Sequence, residues 1–130
     1  LNNYIKQWSR YAKVKAELTV SNLKRARFAP EVETCIYRIV QEALNNTHKH
    51  SAATRADIIL EKRGDLLVLI VEDNGKGFNR KIKTNPSKGL GLTGMKERAA
   101  LVGGTMEIET APKQGTTIYV RIPFSAAKEK

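Results

Sequence analysis

Residues 54–75 read TRADIILEKRGDLLVLIVEDNG. Two runs rich in branched aliphatic residues, TRADIILEK and DLLVLIVED, flank Arg63-Gly64. That pattern predicts an antiparallel β-hairpin. The second strand ends on a carboxylate, Asp73, and the chain then enters a glycine loop.

N-terminal to the hairpin, Pro30 starts a helix at the first-turn position that proline tolerates. Glu31 and Glu33 lie at the positive end of its dipole. The helix is expected to run to about His50. Before it, VKAELTV (14–20) alternates as a strand does, and SNLKRARFA is a polar, basic link. Residues 1–13 carry Leu1, Tyr4, Ile5, Trp8 and Tyr11 or Ala12 at helical spacing.

C-terminal to the hairpin, the chain from Asp73 to Lys88 is glycine-rich and basic, with no apolar periodicity. GLTGMKERAALVGG (91–104) predicts a helix with Met95, Ala99 and Val102 on one side, ended by Gly103 or Gly104. TMEIET and GTTIYVRIP are strands around the turn APKQG, and SAAKEK reads as a frayed end. This order predicts an α+β fold, a two-layer α/β sandwich. Its sheet is mixed, mostly antiparallel and of about five strands, with helices on one face. Residues 1–124 are expected to form one domain and 125–130 a tail.

The chain has 130 residues, enough for a core without disulfides or metals. The longest apolar run, Leu66 to Val71, is far too short to span a bilayer. Cys35 is the single cysteine, which fits a reduced, cytosolic setting. The chain begins at Leu1 rather than Met, as a piece of a longer protein would. Its net charge of +10 leaves two readings: phosphate-backbone binding to nucleic acid, or a site for a small polyanion or an acidic partner. Aromatic residues make up 6%, too few for a platform that stacks single strands.

The helix before the hairpin ends in QEALNNTHKH (41–50), dense in ligand-type side chains. On a wheel of about 100° per residue, Val32, Ile36, Ile39, Val40 and Ala43 form the apolar stripe. Glu42, Asn46 and Lys49 fall within about 60° of one another on its flank, with His50 between them and the stripe. Asn45 points to the far side. A carboxylate and an amide oxygen one turn apart suit a hard cation such as Mg²⁺, and Lys49 suits a phosphate. The plain alternative is a polar helix flank with i,i+4 hydrogen bonds. A zinc site from Cys35, His48 and His50 matches no zinc spacing.

Two glycine loops follow. In VEDNGKGF (71–78), Asp73 can accept from an amine, and Gly75 and Gly77 let a flat ring approach closely. A plain Asp-Asn-Gly turn would need only one glycine. SKGLGLTGM (87–95) contains Gly89, Gly91 and Gly94 in a G-x-G-x-x-G pattern. No strand precedes it and no βαβ unit surrounds it, so the dinucleotide reading fails. Glycines at a helix start remain suited to anions. Lys76, Arg80, Lys81, Lys83 and Lys88 make the run between the loops basic, as a lid or as an ordinary solvated loop. There is no Walker A pattern.

Glu42…Asn46, Asp73-Asn74-Gly75-Lys76-Gly77, Gly89-Leu90-Gly91 and Gly115-Thr116, in that order, resemble the N box, the two glycine boxes and the closing threonine strand of the GHKL ATPases. That superfamily contains histidine kinases, DNA gyrase, MutL and the heat-shock chaperones of similar fold. YRIVQEALNNTHKHS, DNGKGF and GLGLTGMKERAALVGG resemble more closely the catalytic domain of sensor kinases that pair with NarL/FixJ-type response regulators. The resemblance covers roughly Leu1 to Phe124.

It implies a Bergerat fold with ATP between the helical layer and a lid. Asp73 is then expected to take the adenine amino group, helped through water by Thr116. Asn46 is expected to bind Mg²⁺, with Glu42 near it directly or through water. Glu42 is the expected catalytic residue, as general base or only as a ligand. Lys49 and His50 would approach phosphate or ribose, and Gly89 and Gly91 would cradle phosphates. The expected nucleotide-binding set also contains Gly75, Gly77, Lys88, Leu90 and Leu92. The chain departs from many histidine kinases in having Glu at the start of the N box and no clear phenylalanine-bearing lid box.

The resemblance implies a cytoplasmic ATP-binding domain, compatible with a membrane anchor elsewhere in the whole protein, with no direct nucleic-acid or membrane contact by this domain. It would transfer the γ-phosphoryl of Mg-ATP to a histidine on a separate dimerisation/phosphoacceptor domain. The chain carries no phosphoacceptor helix of its own, so it is expected to bind ATP without autophosphorylating. An anti-sigma-type serine kinase of the same fold and a basic nucleic-acid-binding module are the alternatives.

Overall fold

The computed structural model describes residues 1–23, 28–48, 52–76, 92–111 and 113–123. Its elements are α1 (Asn2–Ala12), β1 (Lys15–Ser21), α2 (Pro30–Asn46), β2 (Arg55–Arg63), β3 (Leu66–Asp73), α3 (Leu92–Leu101), β4 (Thr105–Thr110) and β5 (Thr116–Pro123). Every element expected from the sequence is present, in the expected order. The strands form one sheet in the order β1-β2-β3-β5-β4. β1 and β2 are parallel, and the other neighbours are antiparallel. A parallel pair needs a long crossover, and α2 supplies it.

The hairpin turn lies one residue later than its sequence suggested. β2 continues through Arg63, Arg63 pairs with Leu66, and the turn is Gly64-Asp65. Gly64 sits at φ 56°, the conformation glycine adopts without penalty in a two-residue turn.

Strand alternation divides the sheet into an inner and an outer face. Ala56, Ile58 and Leu60 of β2, Leu67, Leu69 and Val71 of β3, and Ile118, Val120 and Ile122 of β5 are buried in one core. The helices complete it with Ile5 and Trp8 of α1, Met95 and Ala99 of α3, and the α2 stripe. That stripe is wider than the wheel suggested, because Cys35 and Leu44 are buried with it. Filling so continuous a face at about 1.5–3 kcal/mol per large side chain is the main driving force of the fold. Gly104, after α3, lies where a Cβ would stand 2.7 Å from the Arg121 carbonyl oxygen, so α3 can turn into β4 only with glycine there.

α2 was expected to reach about His50. Its regular turns stop at Asn46, and Thr47–His48 form a wider π-type turn. The Thr47 hydroxyl donates to the Ala43 carbonyl at 3.1 Å. Such back-bonding competes with the backbone ladder and bends helix ends. His48 is exposed, and its ring lies 5.4 Å from that of Tyr11 on α1. The Cys35 thiol faces the Arg98 carbonyl at 3.4 Å.

Candidate functional site

The inner face of the sheet ends in a row unlike the rest. The register puts Ala56, Asp73, Thr116 and Thr110 side by side across β2, β3, β5 and β4. One row further in, the same face carries Ile58, Val71, Ile118 and Ile108. The polar row is a shallow floor beneath the end of α2, made of one methyl, one carboxylate and two hydroxyls.

Asp73 is the charged member. Its Oδ1 accepts from the Gly75 N–H at 2.9 Å, and its Oδ2 lies 3.2 Å from the Thr47 hydroxyl, whose one proton it shares with the Ala43 carbonyl. The Thr116 backbone adds a further hydrogen bond. Burial pushes the Asp73 carboxyl above its ordinary range, and the three hydrogen bonds offset part of that shift. The result is a strong, partly desolvated acceptor beside apolar and hydroxyl groups.

Thr47 was not anticipated. It is 2% exposed, the one polar residue among the described residues that are buried. The signal was present in the sequence: Thr47 is four residues after Ala43, so the wheel continues the apolar stripe onto a hydroxyl. Thr116 and Thr110 share a hydrogen bond at 3.0 Å between their hydroxyls, and Thr110 also faces the Gly115 carbonyl at 3.2 Å. Gly115 has φ 74°, and a Cβ there would stand 2.4 Å from the Asp73 carbonyl oxygen. Only glycine lets the β4–β5 turn press this closely on the end of β3.

Asn74 has a structural task. Its Oδ1 accepts from the N–H groups of Thr54 and Arg55, both at 3.0 Å, and its Nδ2 donates to Thr54 Oγ1 at 2.9 Å. It thereby straps the start of β2 to the end of β3, holding the chain on both sides of Asp73.

On α2, Glu42 and Asn46 are half-buried and Asn45 is exposed, as the wheel required. The Glu42 and Asn46 side chains offer two hard oxygen donors one turn apart. Among the described residues no three His, Cys, Asp or Glu groups stand together as a metal cage. That donor set fits Mg²⁺, which keeps several waters and takes substrate phosphates rather than an all-protein shell. Glu42 also lines a groove of about 470 Å³ between α2 and α3. Leu92 begins α3, but its side chain is buried at 5% exposure, so what it offers a ligand is the backbone of a helix start. The expected site residues Lys49, His50, Gly77, Lys88, Gly89, Leu90 and Gly91 lie outside the described residues.

The geometry has counterparts among known proteins. The profile of the histidine kinase-, DNA gyrase B- and HSP90-like ATPases matches residues 31–126. The signal transduction histidine-protein kinase/phosphatase DegS of Brevibacillus brevis is 41% identical over 102 residues, 78% of this chain and 26% of that protein. DegS of Bacillus subtilis is 41% identical over 100 residues, again with 26% of its length covered. The chain therefore spans about a quarter of these relatives. A histidine kinase domain from a blue-light activated kinase of Erythrobacter litoralis superposes with a TM-score of 0.73 at 20% identity, covering 95% of this chain and 58% of that one. The mycobacterial sensor kinase MprB gives 0.69 at 21% identity, with coverages of 93% and 89%. At such identities the superpositions speak for the fold. The matched profile spans most of the chain and includes both α2 and the polar row, and on that ground this protein belongs to the histidine kinase-, DNA gyrase B- and HSP90-like ATPase family.

Proposed function

We propose that this chain is the ATP-binding catalytic domain of a two-component sensor histidine kinase, with residues 1–124 as the folded unit. Its γ-phosphoryl acceptor is a histidine on a separate dimerisation/phosphoacceptor domain, and the phosphoryl passes on to a NarL/FixJ-type response regulator. The observation that carries the reading is the half-buried Asp73 carboxylate set into an otherwise uncharged row. An adenine amino group donates to Asp73, with Thr47 and Thr116 fixing the carboxylate. Ala56 leaves room for the flat ring.

Glu42 and Asn46 hold Mg²⁺ on the adjoining flank of α2. When bound, the ion neutralises phosphate charge and orients the γ-phosphoryl. The chain's own contribution is to position the nucleotide, with α3 presenting backbone N–H groups to anionic oxygens. Glu42 stands at the groove by which an acceptor reaches the site, as base or as ligand.

Two relatives at 41% identity carry histidine-kinase names, which favours this reading over an anti-sigma-type serine kinase. Among the described residues no helix is long and apolar enough to cross a membrane, and we assign the domain to the cytoplasm. Nucleic acid is not a partner in this reading.

Calorimetric titration with ADP and ATP, with and without Mg²⁺, tests it directly. Magnesium-sensitive binding that Asp73→Asn loses is expected. The isolated chain should take no covalent label from γ-labelled ATP, because α1, α2 and α3 contain no histidine. An absence of binding at millimolar nucleotide would sink the reading.

A further inference from the structure

The groove between α2 and α3 has a composition that nucleotide binding does not account for. Arg38, Gln41, Glu42, Asn45, Gly94 and Arg98 line it. Arg38 donates to Gln41 Oε1 at 3.2 Å. The described ion pairs involve Arg55, Arg63 and Arg121, and none includes Arg38 or Arg98. Two guanidinium groups thus line one concavity with no carboxylate paired to either among the described residues. Against these two cations the groove lining holds one carboxylate, Glu42, so its net charge is positive and the arrangement favours an anion.

Arg38 lies two turns before Asn46, about 12 Å along α2, and Arg98 about 9 Å along α3 from Leu92. Both are thus set back from Asn46 and from the start of α3, where the nucleotide reading places its contacts. The groove, however, runs up to Glu42.

Gly94 points the same way. Glycine inside a helix costs about 1 kcal/mol relative to alanine. Among the described residues nothing requires it, since a Cβ at Gly94 would meet none of their atoms within 4 Å. A bare backbone there leaves the groove wall flat for something that lies along it.

We propose that the α2–α3 groove beside Glu42 seats the protein segment that carries the phosphoacceptor, and that Arg38 and Arg98 hold a carboxylate of that segment. The inference rests on the kinase reading above and names what selects its protein substrate. Guanidinium groups suit the role because their planar forks bind a carboxylate through two parallel hydrogen bonds. Arg38 and Arg98 are positioning residues: they orient the acceptor segment and touch neither ATP nor the reacting atoms.

The test uses the full-length protein, comparing wild type with Arg38→Gln, Arg98→Gln, the double variant, Arg98→Lys and Gly94→Leu. Autophosphorylation kcat and KM for ATP are measured together with the Kd for ADP. In the double variant kcat should fall by about 30-fold or more, in line with losing a charge-assisted anchor. KM for ATP and ADP affinity should stay within twofold. Arg98→Lys should recover part of the rate that Arg98→Gln loses, and Gly94→Leu should lower kcat. Unchanged kcat in the double variant overturns the proposal. So does a matching loss of ADP affinity, which would assign the arginines to the nucleotide's own phosphates. If the wild-type protein binds no ADP, the nucleotide reading fails first, and the docking inference goes with it.

Discussion

Glu72 and Asp73 are neighbours on β3 with nearly the same chemistry and opposite circumstances. Glu72 is on the outer face, exposed, opposite Thr117, whose hydroxyl reaches it at 3.4 Å. Asp73 is on the inner face, half-buried, and held by Thr47, Gly75 and Thr116. Strand alternation alone separates them. The outer carboxylate lies among partly neutralised charges such as Arg55 with Glu17 and Asp57. The inner one is the single charge in its row. A carboxylate becomes a candidate ligand here through the company it keeps.

The largest expected effect breaks that contrast at Asp73. Asp73→Asn replaces a charged acceptor by a neutral amide that also donates. ADP affinity should fall by about 10- to 100-fold, corresponding to a charged hydrogen bond of about 1.5–3 kcal/mol, in calorimetry. Folding should move the other way. Because the folded carboxyl holds its proton more tightly than the unfolded one, its ionisation at neutral pH costs stability. The melting temperature of Asp73→Asn should therefore equal or exceed that of wild type. A variant that lost binding by unfolding would refute this account of the site.

Gly115→Ala attacks the packing that presses the β4–β5 turn onto β3. A left-handed φ and a close Cβ together should cost about 1–3 kcal/mol of stability, read by chemical denaturation. Thr47→Val keeps the shape and removes the hydroxyl. It should cost about 1 kcal/mol and weaken ADP several-fold, since Asp73 Oδ2 loses a donor. Acidification sharpens the comparison further. Burial raises the Asp73 carboxyl, so ADP binding should fade as pH drops, starting above the usual aspartate range. Glu72→Gln should leave that profile unchanged, with stability within about 0.5 kcal/mol of wild type.

Most elements were legible because they bury one face. Alternation in β2 and the 3.6-residue period of α2 follow directly from that, while β3, whose Val68 and Ile70 are buried as well, shows as a continuous apolar run. The wheel separated Asn46 from Asn45 for the same reason. Strand order was not legible: periodicity says that a strand has an inner side, not which neighbours it joins. Nothing local marks β5 for insertion between β3 and β4, or β1 for parallel pairing. Ala56 and Thr110 escaped notice on the same ground, since they matter only through registers that unite four strands into one row. Thr47 was hidden among more conspicuous neighbours in NNTHKH.

One consequence follows from the pairing of Asp73 with Thr116. These residues are far apart in sequence, yet the sheet fixes them as neighbours whatever chain joins them. Closing a flexible connection costs only about 0.6 kcal/mol for each doubling of its length. Beyond Asn74 and Gly75, which bond to Thr54, Arg55 and Asp73, a change in the length of the connection to α3 should therefore cost the polar row little. That makes the connection a natural place for evolution, or an engineer, to introduce variation without rebuilding the sheet.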